Sequence, residues 1–251
     1  DGLSVLAKKA SAAVDYYEKI EKLRHDLPFE IDGVVVKVNA FPLRDQLGNI
    51  ARSPRWATAA KFEPEQAVTV VEKIIVQVGR TGALTPVAVM KPAEVGGVTV
   101  THATLHNQDE VNRKDVRVGD TVLVHRAGDV IPEIIEVKKD QRKKGAKAFV
   151  IPKNCPVCGT EAVQNEEEVV LRCPNPICDA RIKETLKHFV SRKAMNIDKV
   201  GDKLIEVLVD KGKVRSFSDL YLLTKKDLLE LDRQGEKSAQ NVIESIDKSR
   251  T

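Results

Sequence analysis

Cys155-Pro156-Val157-Cys158, then fourteen residues, then Cys173-Pro174-Asn175-Pro176-Ile177-Cys178, restricts this chain more than any other feature. These are all four cysteines in 251 residues. Cystines of a secreted framework are spread along a chain, whereas two close pairs can present four thiolates at tetrahedral corners, as Zn2+ requires. Gly159 permits the left-handed backbone such a turn often needs, and three prolines stiffen the pairs. Two pairs of free thiols, or two disulfides, are the plainer alternatives. Four protein ligands leave no open position, so a zinc held by Cys155, Cys158, Cys173 and Cys178 is structural. His188, the nearest spare ligand type, reads as an ordinary helix residue.

Four textures follow one another. Ala10, Ala13, Val14, Tyr17, Ile20 and Leu23 recur at helical spacing, which predicts an amphipathic helix ending before Pro28. A β-branched run, Glu30–Val38, reads as a strand, and a second short strand is expected at Trp56–Phe62. From Gln66 to Val137, short Val/Ile runs (68–78, 87–90, 98–101, 121–126 and 134–137) alternate with Gly, Pro and Asn turns, the pattern of a small OB-fold barrel. Residues 138–147 form a basic connector into the cysteine module, and beyond Ala180 the pattern is helical. The expected fold class is multidomain α+β. Its expected parts are residues 1–65, an OB-fold over 66–140, a four-cysteine finger over 141–182 and a helical tail over 183–251.

Composition excludes some classes and selects none. At 42% hydrophobic and 31% charged, the chain can build packed cores, and no run approaches the ~18 apolar residues of a membrane span. The N-terminal Asp1-Gly2-Leu3-Ser4 has neither an initiator Met nor a signal peptide, and reads as a cut within a longer protein. A net charge of +4 permits a polyanionic partner without demonstrating one.

The tail repeats itself. Ile197-Asp198-Lys199-Val200-Gly201-Asp202-Lys203 aligns with Leu231-Asp232-Arg233-Gln234-Gly235-Glu236-Lys237, and each copy opens a helical stretch. This resembles the helix-hairpin-helix element, whose helix N-terminus faces a nucleic-acid phosphate without reading bases. Lys203 and Lys237 would add charge there. The element's first Gly is Lys199 or Arg233 here, and an ordinary helical turn is the plain alternative.

Asp32 and Lys37 flank Gly33–Val36, by themselves an ordinary way to end a strand. Their surroundings are more specific. Leu27-Pro-Phe-Glu-Ile-Asp32-Gly-Val-Val-Val-Lys37-Val-Asn39 and Trp56-Ala-Thr-Ala-Ala-Lys61-Phe62 resemble nucleotidyltransferase motifs of bacterial NAD-dependent DNA ligases. Val78-Gly-Arg80-Thr-Gly82, Thr104-Leu-His-Asn107 and Arg126-Ala-Gly128-Asp-Val-Ile-Pro132 resemble further phrases of that family, and the four-cysteine module and helical repeats follow in its order. Phe62 is followed by Glu63 and then Pro64, whereas in the family Pro follows the aromatic directly.

The resemblance implies that residues 1–65 end a nucleotidyltransferase domain. It implies that Asp32 orients a catalytic Mg2+ or Mn2+, that Lys37 and Lys61 contact the nucleotide phosphate, and that Arg24 sits at the nucleotide cleft. Arg80 and Arg126 would grip DNA backbone beside a nick, with Gly128 allowing close approach. The implied reaction joins 5′-phosphate to 3′-hydroxyl ends of nicked double-stranded DNA through AMP intermediates drawn from NAD. A monomer in the bacterial cytoplasm, near the nucleoid and with no membrane partner, is expected. The family's adenylated Lys-x-Asp-Gly phrase does not occur in these residues, so this polypeptide alone is not expected to take up AMP. A non-catalytic, sequence-independent DNA-binding module is the alternative, and a zinc-ribbon transcription factor a weaker one.

Overall fold

The computed structural model describes residues 3–127, 131–165, 168–232 and 235–250. Helix α1 (Ala10–Leu23) opens the first unit, and one 3-10 turn, Arg24–Asp26, carries the chain towards Pro28. Strands β1 (Gly33–Lys37) and β4 (Ala57–Lys61) pair antiparallel, Gly33 opposite Lys61. Between them lie α2 (Phe41–Leu47) and a small hairpin, β2 (Asn49–Ile50) with β3 (Ser53–Pro54). Alternation splits β1 into two faces. Ala13, Val14 and Tyr17 of α1 lie over Val34 and Val36, and the Tyr17 ring meets Phe62 at 5.1 Å. The opposite face is open, leaving Val35 61% exposed.

Strands β5 (Gln66–Val78), β6 (Leu84–Val95), β7 (Val98–Thr104), β8 (Thr121–Ala127) and β9 (Ile131–Val137) close a barrel in the order β5-β6-β7-β9-β8. Helix α3 (Gln108–Lys114) fills the step from β7 to β8 and lays Val111 into the core. This is the OB-fold arrangement of a five-stranded barrel. Period-two alternation places Val71, Met90, Val122, Val124 and Ile134 inside. Strand β6 is longer than its Val87–Met90 run predicts. Pro92 falls where the register with β7 shifts, between Val89 and Ala93, so the missing N–H interrupts the ladder only locally.

The basic connector packs against the barrel. Asp120, fully buried, accepts from Arg142 Nε at 2.8 Å and Nη2 at 2.9 Å, and Arg142 Nη1 also reaches Asp115 at 2.7 Å. A buried carboxylate left without that guanidinium would carry an uncompensated charge. The cysteine module then docks on the β5–β6 end of the barrel, sharing a core of Val78, Leu84 and Ile151 with its cysteines.

Helices α4 (Asp179–Val190), α5 (Asp202–Asp210), α6 (Phe217–Leu222), α7 (Lys225–Leu229) and α8 (Glu236–Lys248) surround one core that includes Leu186, Ile205, Leu208, Leu220, Leu228 and Val242. Ser216 with Asp219 and Thr224 with Asp227 form capping boxes that start α6 and α7.

Candidate functional site

The four cysteines are free of disulfides and converge, with all four sulfurs within 4.8 Å of one another. Cys158 and Cys173 sulfurs are 3.5 Å apart, and those of Cys155 and Cys178 3.9 Å. Sulfurs at the corners of a tetrahedron about 2.3 Å from a central zinc stand about 3.8 Å apart, so this donor set fits Zn2+. Burial pushes the Cys173 thiol up to about 12 and raises that of Cys178. A central cation is what would keep such buried thiols ionised. Gly159 adopts φ +73°, the left-handed turn expected after the first pair.

At the other end of the chain, β1 and β4 bring together two predicted residues 29 positions apart. Lys61 Nζ donates to Asp32 Oδ2. The backbone beneath them is fixed by the Phe62 N–H donating to the Asp32 carbonyl at 2.9 Å. The Lys61 ammonium, hydrogen-bonded to the carboxylate, holds Asp32 below its ordinary range. Both side chains remain about half exposed, open to a ligand that would separate them. Lys37 shares the strand face of Gly33 and Val35 but ends β1 four residues beyond Gly33, the residue opposite Lys61, about 14 Å along the strand. The structure therefore pairs Asp32 with Lys61 and leaves Lys37 apart.

Asp32 lines a cleft of about 650 Å3 between the first unit and the barrel. Arg24 is in the same wall, its guanidinium 5.8 Å from the Phe62 ring centre and donating to the Glu63 carbonyl at 3.3 Å. Arg126 forms part of the barrel's wall, with Nη1 donating to the Gly96 carbonyl at 3.4 Å. Gly128 lies outside the described residues. Arg80 is exposed on the β5–β6 turn, at the end of the barrel that carries the cysteine module, and no contact joins it to the cleft among the described residues. The cleft also holds Glu30, Glu65 and Gly96, which sequence reasoning missed. Acidic residues in a connecting loop look like solvated surface until the barrel folds against them.

The two tail repeats are equivalent where both are described. Ile197 and Leu231 are buried, and Gly201 and Gly235 cap α5 and α8 with φ near −90° (−91° and −89°). Lys203 and Lys237 are the second residues of those helices, and both are exposed. Lys199 stands where the helix-hairpin-helix pattern has glycine and adopts φ +65°, so the backbone keeps the glycine conformation. Arg233 and Gln234 lie outside the described residues.

Three domain-family models match in sequence order. They describe the NAD-dependent DNA ligase adenylation domain (residues 3–65), OB-fold domain (68–146) and C4 zinc finger domain (154–180). The chain belongs to the NAD-dependent DNA ligase family. A DNA ligase of Bdellovibrio bacteriovorus is 62% identical over 251 residues, 100% of this chain and 37% of that protein. One of Halothermothrix orenii is 58% identical over 224 residues, 89% of this chain and 33% of its own length. One of Myxococcus xanthus is 54% identical over 234 residues, 93% of this chain and 35% of its own length. The chain thus spans about a third of the length of these ligases. The OB-fold match runs through Arg142, the connector residue tied to Asp115 and Asp120. Among the described residues, no helix is long and apolar enough to cross a membrane.

Proposed function

We propose that this chain is the part of an NAD-dependent DNA ligase that grips a nicked duplex and presents charged groups to phosphoryl transfer. The observation that carries the reading is the Asp32–Lys61 pair, in a ligase adenylation domain, beside a cleft whose opposite wall carries Arg126. Asp32 is exposed enough to hold one divalent cation, and Mg2+ is commonly bound by one or two carboxylates together with substrate phosphates. Bound there, Mg2+ or Mn2+ would neutralise charge on the phosphate of AMP. Lys61, released from Asp32, would take a phosphate oxygen, and Lys37 would contact the same nucleotide only from a phosphate group lying along the open strand face. Arg24 would border the nucleotide. These cations would stabilise the negative charge that grows on the phosphoryl oxygens in the transition state.

Arg80, Arg126, Gly128, Lys203 and Lys237 would hold sugar-phosphate backbone, the last two at N-termini of helix-hairpin-helix elements. Residues 1–65, 66–140, 141–182 and 183–251 are the working parts, with zinc as a brace in the third. NAD, as AMP donor, acts on the longer protein. That protein is proposed to work as a monomer in the bacterial cytoplasm. The half-exposed, mutually neutralised Asp32–Lys61 pair also suits a second reading, a non-catalytic DNA-binding module in which it is a surface ion pair.

In a ligase of full family length containing these residues, Asp32→Ala or Lys61→Ala should abolish nick sealing while nicked-duplex affinity changes little. Sealing that survives both substitutions supports the second reading. The 251-residue chain, mixed with NAD and Mg2+, should form no covalent AMP adduct.

A further inference from the structure

The cleft is closed at one corner by a short chain of contacts that starts in the four residues joining β4 to β5. Phe62 is buried, Pro64 restricts the backbone, and Glu65 is the last residue before the barrel. Glu65 Oε1 faces Arg24 Nε at 3.8 Å and His25 Nδ1 at 3.7 Å, both from the first unit. Its Oε2 accepts from the backbone N–H of Gly96 at 3.0 Å, in the barrel's β6–β7 turn. The carbonyl of that same Gly96 accepts from Arg126. The turn is Gly96-Gly97 with φ +56° and +69°, a tight hairpin that side chains rarely tolerate. Beside Gly97 lies the carboxylate of Glu30, in the space a Cβ would occupy. Two carboxylates of the first unit are therefore seated on the two glycines of one barrel turn.

We propose that Glu65 is a positioning residue. Through Gly96 it sets Arg126 across the cleft from Arg24 and Asp32, so that the nucleotide-side and backbone-side groups face one substrate. Glu65 itself touches no substrate. Its carboxylate acts at both ends: a charge towards Arg24 and an acceptor for the Gly96 amide. Glutamine at this position keeps the acceptor and loses the charge, whereas alanine loses both. The proposal rests on the reading of Arg126 as a DNA-backbone contact, but the geometry can be tested without DNA.

Genetically encoded spin labels at the exposed positions Lys19 on α1 and Glu72 on β5 report the orientation of the first unit against the barrel in the zinc-loaded chain. A single narrow distance distribution is expected for the parent and for Glu65→Gln, and a broadened one for Glu65→Ala. An unchanged distribution in Glu65→Ala overturns the proposal. In parallel, Glu65→Ala should weaken binding to a nicked duplex several-fold, and the Glu65→Ala/Arg126→Ala double variant should bind no more weakly than Arg126→Ala alone. Additive losses would show that Glu65 acts other than through Arg126. If the parent ignores nicked duplex altogether, the functional reading fails and the label distances still decide the role of Glu65.

Discussion

The backbone N–H of Cys173, a zinc-type ligand, donates to the carbonyl of Gly82 on the barrel's β5–β6 turn at 2.8 Å. Next to it, Leu84 donates to Leu171 at 2.8 Å, and Ala83 bridges Arg172. The finger is thus an extension of the barrel's hydrogen bonding. Gly82 has φ +83°, and a Cβ there would overlap the Cys173 carbonyl oxygen. Gly82→Ala should cost at least about 1–3 kcal/mol in backbone strain alone. A thermal melt checks the loss, and amide exchange should place it at Leu84 and Cys173.

Removal of the metal should release the finger and spare most of the barrel. A strong chelator is expected to abolish amide protection at Cys155, Val163 and Cys173, and to weaken it at Leu84, whose acceptor is in the finger. Val71 and Val124, within the barrel core, should keep theirs. Unchanged exchange at Cys173 after chelation would contradict a metal-braced module.

Asp115 makes the chain sensitive to acid in a defined window. The Arg142 guanidinium holds its carboxyl at about 2, below the ~3.9 of an unfolded aspartate. A depressed native value contributes stability that is complete above the unfolded value and is lost as pH falls towards the native one. Melting temperature should therefore fall between about pH 4 and pH 2, and Asp115→Asn should melt lower at pH 6 but flatten that fall. A slope unchanged by the substitution would contradict the assignment.

Lys61→Ala should raise the titration midpoint of Asp32 towards that of an ordinary aspartate, because its largest cause of depression is the Lys61 hydrogen bond. Carboxyl-carbon NMR reads this directly. A midpoint that does not move would mean that the pair does not persist in solution.

Local chemistry made much of this fold legible. Alternating Val and Ile residues announced the barrel strands, the cysteine spacing announced the finger, and Gly201 and Gly235 marked two helix starts. Contacts between distant segments were not legible. Nothing in the residues around Asp32 or Lys61 says that their side chains meet, because only the β1–β4 register brings them together. The Glu65–Gly96 bond is hidden for the same reason, since it forms only when a linker carboxylate reaches a hairpin 31 residues later. Arg142 read as one cation in a basic run, yet its partner, Asp120, is fully buried.

A sequence-independent grip on the sugar-phosphate backbone is read from the affinity of the zinc-loaded chain for nicked duplexes of unrelated sequence, measured across a salt series. Equal affinities are expected, with log K falling linearly against log salt. Arg126→Ala should reduce the steepness of that line by about 0.9, one phosphate contact. No binding at low ionic strength, or affinity that depends on base sequence, would contradict such a grip.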